Sequence, residues 1–409
     1  MDEYYSLHAV TEGLSQHFWE LPLIPYYGLL WAWTLGGSAV SDLWMRGLSI
    51  AAIAFTAGFV ASSAHKIAGR RAAYLAGMGV ALAASMQELS HIARPYAVGT
   101  ALAAGSTWLL VRCVTRTAPS RRSWLSYGVI LAAMVIVMPQ AAVVIVAHGI
   151  YLIYVRSGKL ILKGWSLSLL LVVPVVLAGI ALLALGPYSA MHAWLPPPTL
   201  SQIPTGILRI ADASGAPSTA AAAFGLALVV LGLIAAKGTG WILGAMGGAL
   251  MIWIASQMGT SFWLAGSFGP LVPLVTIGAG VSLASIASWQ QFLVASVLLL
   301  VAIPAYQGIR LERSGEADSR MVASTLEENV EESFVLFGDP TDAYSLRAMV
   351  DRYGLVGIRW SETRAPKSQY WSLYGDDACN PTRTWNVGGG GILKLCQSPT
   401  QNVEKNQSG

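Results

Sequence analysis

Charge is what this sequence lacks most. Only 11% of its 409 residues are Asp, Glu, Lys or Arg, against roughly 25% in a soluble globular domain, and 55% are hydrophobic. That balance excludes an ordinary soluble protein and describes a membrane one. The scarcity is uneven: Gly238 to Ile309 holds no charged residue, whereas the stretch after Ile309 holds 11 Lys and Arg and 14 Asp and Glu. An apolar body to about residue 308 therefore precedes a polar tail.

Other absences narrow the class further. With three cysteines the chain is no disulfide scaffold, although Cys379 and Cys396 share the tail and form an even pair that could bridge in an exported domain. No cleavable signal peptide is visible, because the first residues are acidic and aromatic rather than basic and then apolar. His8, His17 and His192 have no metal-ligand spacing, which argues against zinc. No transporter-type internal repeat stands out. The net charge of +4 sits in short runs between apolar segments, so it reads as topology and not as a nucleic-acid footprint.

What is present is a series of apolar runs of membrane length: 46–64, 72–90, 97–112, 124–139, 140–155, 166–186, 219–236, 241–257, 270–287 and 291–308. Pro139-Gln140 is the expected turn between two short helices, since Arg122 and Arg156 bracket an uncharged run too long for one span. Connecting these runs alternately puts Lys66, Arg70, Arg71, Arg112, Arg116, Arg121, Arg122, Arg156, Lys159, Lys163 and Lys237 on one side, which the positive-inside rule makes cytoplasmic. Arg46, Arg94 and Arg209 fall outside. Ahead of the tail the acids are Asp2, Glu3, Glu12, Glu20, Asp42, Glu88 and Asp212, and all map to the outer side. Residue 1 is then outside, which predicts one further helix upstream.

The expected architecture is a mostly α polytopic membrane bundle of about ten spans. Residues 1–45 form an outer loop with an acidic start and short interfacial helices around Pro22 and Pro25, 46–308 the transmembrane domain, and 309–409 an extracytoplasmic α/β domain. In that tail "SFVLFG" and "LVGIRW" read as strands and "DPTDAYSLRAMVDRYG" as a capped helix between them, a β-α-β unit. "GGGG" at Gly388–Gly391 reads as a hairpin or loop.

Ordered motifs carry a resemblance. "DEYYSLHA", then "LPLIPYYGLLWAWTLGG", "SDLWMRGLSIAAIAF" and "HKIAGRRAAYLAGMGVALAASMQELSHIARPYAVGTALAAGSTWLLVR" resemble the first third of the C-type (GT-C) membrane glycosyltransferases that use polyprenyl-phosphate sugars. That group is related to protein O-mannosyltransferases and lipid A aminoarabinose transferases. The likeness covers residues 2–112, and "FGPLVPLVTIGAG" is similar to a late family segment. Ile24-Pro25 and Ile92-Ala93 stand where many members carry other motifs.

The resemblance implies an enzyme that moves a sugar, mannose or a pentose, from a polyprenyl-phosphate donor to a glycan, lipid or protein acceptor at the outer face, with inversion. It implies Asp2 as general base, with Glu3 orienting it or binding the acceptor or a divalent cation such as magnesium or manganese; no other cofactor is implied. Arg94, Arg46 and Tyr96 are the expected phosphate-binding residues. His8, Glu20, Tyr26, Tyr27, Asp42, Glu88 and His91 are candidate substrate contacts, and Glu88, His91 and Arg94 are expected on a similar helical face. A lipid-linked sugar flippase, needing charges along a path through the bilayer, and an inactive scaffold are the alternatives.

Overall fold

The computed structural model describes residues 22–36, 42–116, 119–185, 197–203, 219–257 and 261–286, with Ser6, Ala9, Val10, a few positions between 288 and 297, and five short strands beyond residue 330. Asp2, Glu3, His8, Glu20, Cys379, the 291–308 run apart from isolated positions, and the helix expected in the tail lie outside the described residues. The chain divides into two compact units, Glu12–Gln307 and a second made of Met1–Thr11 with Gly308–Gly409.

Among its described residues, unit Glu12–Gln307 consists of helices joined by turns and short extended links, without a strand. A ten-residue helix α1 (Ile24–Trp33) begins at a proline, and at about 15 Å it is too short to span a bilayer. It leads to α2 (Asp42–Leu82), and the two are joined by a reciprocal tryptophan clamp. Trp33 and Trp44 stack at 5.3 Å, and each indole N–H donates to the other's backbone carbonyl, at 2.8 and 3.1 Å.

As one straight rod the 41 residues of α2 would extend about 62 Å. They fold back instead, at Gly69, whose φ of 83° suits a residue without Cβ. The reversal is visible in the packing, because a Cβ on Gly77 would lie 3.4 Å from that of Ala61. Lys66, Arg70 and Arg71 surround this turn.

The expected 72–90 span is a correction. Its helix breaks at Ala83 (φ −63°, ψ 120°), and a short α3 (Ala84–Ser90) follows at a new angle. The break is tolerated because the Gln87 amide donates to the Ala81 carbonyl at 2.5 Å, so the backbone acceptor freed there keeps a partner.

Next come α4 (Pro95–Val114), α5 (Arg121–Val137) and the 3₁₀ turn Pro139–Ala142, which stands where the sequence predicts a turn. Beyond it lie α6 (Val143–Tyr154), α7 (Lys159–Leu185), α8 (Thr219–Ile234), α9 (Ala236–Ser256), the 3₁₀ segment Ala265–Leu271 and α10 (Val272–Leu283). Among the described residues five helices are long and apolar enough to cross a membrane, counting α2 as one.

Small residues set the helix pairs, as expected where lipid removes the hydrophobic drive between helices. Gly240 meets Tyr151, Gly244 meets Ala147 and Gly248 approaches Val143, so α9 runs antiparallel to α6. Gly79 meets Thr276 and Gly280 meets Ala76, which sets α10 antiparallel to the returning limb of α2. Gly164 meets Trp124 and Gly128 meets Ser168, so α5 and α7 run parallel. These registers gather the Gly69 turn, Arg112, Arg121, Arg122, Arg156, Lys159 and Lys237 at one end of the bundle, as the charge pattern anticipates.

Among its described residues the second unit contains a five-stranded sheet of order β2-β1-β3-β5-β4. Strand β1 (Val335–Phe337) pairs in parallel with β2 (Arg359–Ser361) and β3 (Tyr370–Leu373). Strands β4 (Asn380–Asn386) and β5 (Ile392–Gln397) form an antiparallel pair, with the four-glycine run in the connection between them. The parallel β1–β2 pair is the arrangement that a β-α-β reading requires.

Candidate active site at the end opposite the basic turns

The proline that opens α4 dictates the local geometry of the site. A residue before proline is driven away from helical angles, and Arg94 accordingly has φ −134° and ψ 165° as the α4 N-cap. Helix α3 has already ended at Ser90, with His91 as its exposed C-cap. Glu88, His91 and Arg94 thus do not share a continuous helical face, a correction to the sequence reading. The extended backbone instead sends Arg94 toward α1.

There its guanidinium donates to the Tyr27 hydroxyl at 2.8 Å, across 67 residues of sequence. Tyr26 and Tyr27 are fully buried, with ring centroids 5.8 Å apart. The 91–94 loop is pinned to α2 by Ser49, whose hydroxyl donates to the Ile92 carbonyl at 2.7 Å. Arg46 lies one turn before Ser49, on the same face of α2. Tyr96, the next candidate, packs against Ala265–Leu271: a Cβ on Gly266 would lie 2.6 Å from the Tyr96 ring, so only glycine permits this approach. A Cβ on Gly269 would likewise meet Leu89 and Thr100 at 2.8 Å. The two segments that carry the family resemblance, around Arg94 and around Phe268, are packed together.

Beside this cluster is an apolar cavity of about 480 Å³ between α5, α6, α7 and α9, lined by residues including Val135, Pro139, Val143, Val176, Ile252 and Phe262, with Gln140 as its polar member. Two connections tie it to the arginine. Gly99, on α4 five residues from Arg94, abuts Met138, the neighbour of Pro139. Phe262 lies four residues before Gly266, which touches Tyr96. The arginine–tyrosine cluster and the apolar cavity thus lie toward the same, non-basic end of the bundle.

Asp42 begins α2, but its side chain is outside the described residues, as are Asp2, Glu3, His8 and Glu20. Among the described residues no group of three His, Cys, Asp or Glu could hold a metal ion. The residues that could take part in holding a divalent cation, Asp2 and Glu3, are thus not placed.

The sequence reading passed over Ser49, the cavity-lining residues and His148. The signal for His148 was available: it is the one titratable imidazole in the uncharged run between Arg122 and Arg156, and such groups within a membrane segment call for an explanation. His148 is fully buried in a directed chain of hydrogen bonds. The Thr107 hydroxyl donates to the Ala103 carbonyl at 2.8 Å, so it accepts from His148 Nε2–H at 3.0 Å. His148 Nδ1 then accepts from the Tyr127 hydroxyl at 2.9 Å, and Tyr127 accepts from the Trp165 indole at 3.2 Å. One neutral tautomer satisfies every group and braces α4, α5, α6 and α7.

The fold is similar to that of a solved membrane glycosyltransferase. The solved structure of ArnT, the lipid A aminoarabinose transferase, from Cupriavidus metallidurans in its apo state is similar over 92% of this chain and 87% of that one, with a TM-score of 0.54 at 14% identity. ArnT bound to undecaprenyl phosphate matches over the same shares, with a TM-score of 0.50 at 13% identity. A weaker likeness, to the oligosaccharyltransferase of Archaeoglobus fulgidus, has a TM-score of 0.43 at 11% identity over 80% of this chain and 52% of that one, and carries no weight. No family model and no curated protein matches the sequence.

Proposed function

We propose that this chain is a membrane glycosyltransferase that moves a sugar, mannose or a pentose, from a polyprenyl-phosphate donor to a hydroxyl on a glycan, lipid or protein acceptor. The observation that carries the reading is that Arg94, hydrogen-bonded to Tyr27, and an apolar cavity lined by Pro139 and Phe262 lie toward the same end of the bundle. A lipid phosphate is the ligand with one part for each. The ArnT fold supports the reading, since ArnT has been solved bound to undecaprenyl phosphate.

In this mechanism Arg94 and Arg46 donate charge-assisted hydrogen bonds to the donor phosphate, with Tyr96 beside them, and the isoprenoid chain lies in the cavity. The acceptor oxygen attacks the anomeric carbon from the face opposite the phosphate. Asp2 takes the hydroxyl proton as the new C–O bond forms. The bond from the anomeric carbon to the phosphate oxygen breaks, and the lipid phosphate leaves with the electron pair, so the anomeric centre inverts. A positioned carboxylate base contributes about 10²–10⁴-fold, and fixed cations stabilise the charge that gathers on the leaving phosphate. Glu3 orients Asp2 or binds the acceptor or a divalent ion. His8, Glu20, Tyr26, Asp42, Glu88 and His91 stand as contacts around the sugar and acceptor. The reaction belongs to the outer face of the plasma membrane, opposite the basic turns.

The test uses membranes holding the full chain, supplied with radiolabelled polyprenyl-phosphate mannose or arabinose. Transfer by wild type that falls at least 100-fold in Asp2→Asn supports the assignment. Equal transfer by both removes Asp2 as the base, and no transfer from either donor removes both sugars.

A further inference from the structure

The basic end of the bundle holds a second cleft, far from the site above. It has a volume of about 380 Å³ and is lined by Ala61, Ser62, His65, Lys66, Ala73 and Trp108. The alanines leave the space open, and the fold-back at Gly69 brings Ala73 to face Ala61 and Ser62. Trp108 closes the side toward α4, and the Arg112 guanidinium lies over its ring, 4.6 Å from the centroid. That contact fixes a second cation on the ring of the cleft-lining Trp108, one helical turn further along α4.

Nothing in the local sequence neutralises these cations. No Asp or Glu occurs from Leu43 to Gln87, or from Leu89 to Ala211, so every helix bounding the cleft is free of acids along the limb that forms it. Arg70, four residues after Lys66, donates to the Tyr74 hydroxyl at 3.0 and 3.1 Å. Among the described residues the cleft's positive charge thus has no acidic partner, and it calls for an anion.

A second feature says what kind of anion. From Trp108 an unbroken series of rings runs along the outside of α2 and α4: Trp108 to Phe59 at 5.6 Å and Phe59 to Phe55 at 6.5 Å. Phe55 is 66% exposed. The Phe59 ring lies against α4 at Gly105, whose Cβ position is 3.5 Å from it, an ordinary contact distance. From Lys66 back to Phe55 the ledge spans about 16 Å of helix, a length suited to an acyl chain. A free phosphate would use the cations and leave the rings bare; a neutral lipid would use the rings and leave the cations unmatched.

We infer that the cleft at Lys66, Trp108 and Arg112 binds an anionic phospholipid, its phosphate between Lys66 and Arg112 and one acyl chain along Trp108, Phe59 and Phe55. Basic pockets between membrane helices recognise lipid headgroups in this way. The site is separate from the proposed donor site, because Trp108 lies 14 residues along α4 from Arg94, about 21 Å. It places a bound lipid against the turn that reverses α2, whose first limb carries Arg46 and Ser49.

Native mass spectrometry of the full chain in detergent tests this with phosphatidylglycerol and phosphatidylcholine of identical chains. Phosphatidylglycerol is expected to bind at least fivefold more tightly, and Lys66→Gln or Arg112→Gln to weaken it about fivefold each, from about 1 kcal/mol per cation near a membrane surface. Arg71→Gln, which removes an exposed base that does not line the cleft, leaves it unchanged. Equal retention of the two lipids overturns the site. So does an Arg71 effect as large as that of Lys66, which would mean diffuse surface charge, and so does displacement by glycerol 3-phosphate at equal concentration, which would mean a free phosphate. A second readout does not depend on charge variants: phosphatidylglycerol with brominated chains quenches tryptophan fluorescence, and Trp108→Phe removes that component. Unchanged quenching in Trp108→Phe places the chain elsewhere and overturns the ledge.

Discussion

Helices α7 and α10 are both uncharged over most of their length, yet they occupy opposite places. Of the Gly266–Leu283 span 94% is buried in the bundle, against 11% of Lys159–Ala181, and the buried helix is the less hydropathic of the two. In a soluble protein the order would be reversed. In a bilayer, lipid tails are as apolar as leucine, so burial follows close packing instead of hydropathy. Helix α10 carries Gly278 and Gly280, which bring its backbone against α9 and α2, whereas α7 presents Leu170 and Leu177 outward.

The sharpest way to break this comparison is to make the central helix bulky. A Cβ on Gly280 would lie 2.7 Å from the backbone nitrogen of Ala76, so Gly280→Leu is expected to cost about 3 kcal/mol or more and to lower the thermal midpoint in detergent steeply. A midpoint within a few degrees of wild type would mean that α10 is not the packing centre.

The functional end comes next. Arg94→Gln should lower kcat/KM for transfer about 10- to 100-fold, or about 1.4–2.7 kcal/mol, with the melting temperature nearly unchanged. A matched loss of fold and activity would reduce Arg94 to a helix-end anchor.

Smaller still is the buried brace. His148→Leu leaves Tyr127 and Thr107 without their imidazole partner, and about 1–2 kcal/mol of stability should disappear, since hydrogen bonds between membrane helices contribute about 0.6 kcal/mol each and the orphaned groups add to the cost. His148→Gln, which can still donate and accept, should recover part of it; failure to do so would argue for imidazole chemistry over bracing. The smallest change is expected on the outer helix. Leu170 is 68% exposed, and Leu170→Ala should alter stability by less than about 0.5 kcal/mol. A larger loss would mean that the exposed face of α7 is covered by something else.

Much of the helical layout is readable residue by residue. Pro139 ends one apolar run and Pro95 opens another, because a ring without an N–H stops or starts a helix wherever it stands. The bases from Lys66 to Lys237 mark one end because charge at a membrane boundary is a local constraint. The break at Ala83 was not readable: "GVALAASMQ" is good helix sequence, and only the long-range packing of α2, α3 and α10 selects the kink that Gln87 stabilises. The site is similarly divided. Arg94 and the tyrosine pair were recognisable as motifs, but the false helical register of Glu88, His91 and Arg94 came from extending α3 past the point where Pro95 forbids it.

The sequence by itself determined that this chain lives in a membrane, where its apolar segments lie and which end carries the bases, since hydropathy, proline and charge act within a few residues. The tertiary structure alone decided that α10 and not α7 is central, that Arg94 reaches Tyr27, that His148 finds partners on α4 and α5, and that an apolar cavity opens beside Pro139. Each of these depends on which small residue meets which neighbour tens or hundreds of residues away, and no local pattern encodes that pairing.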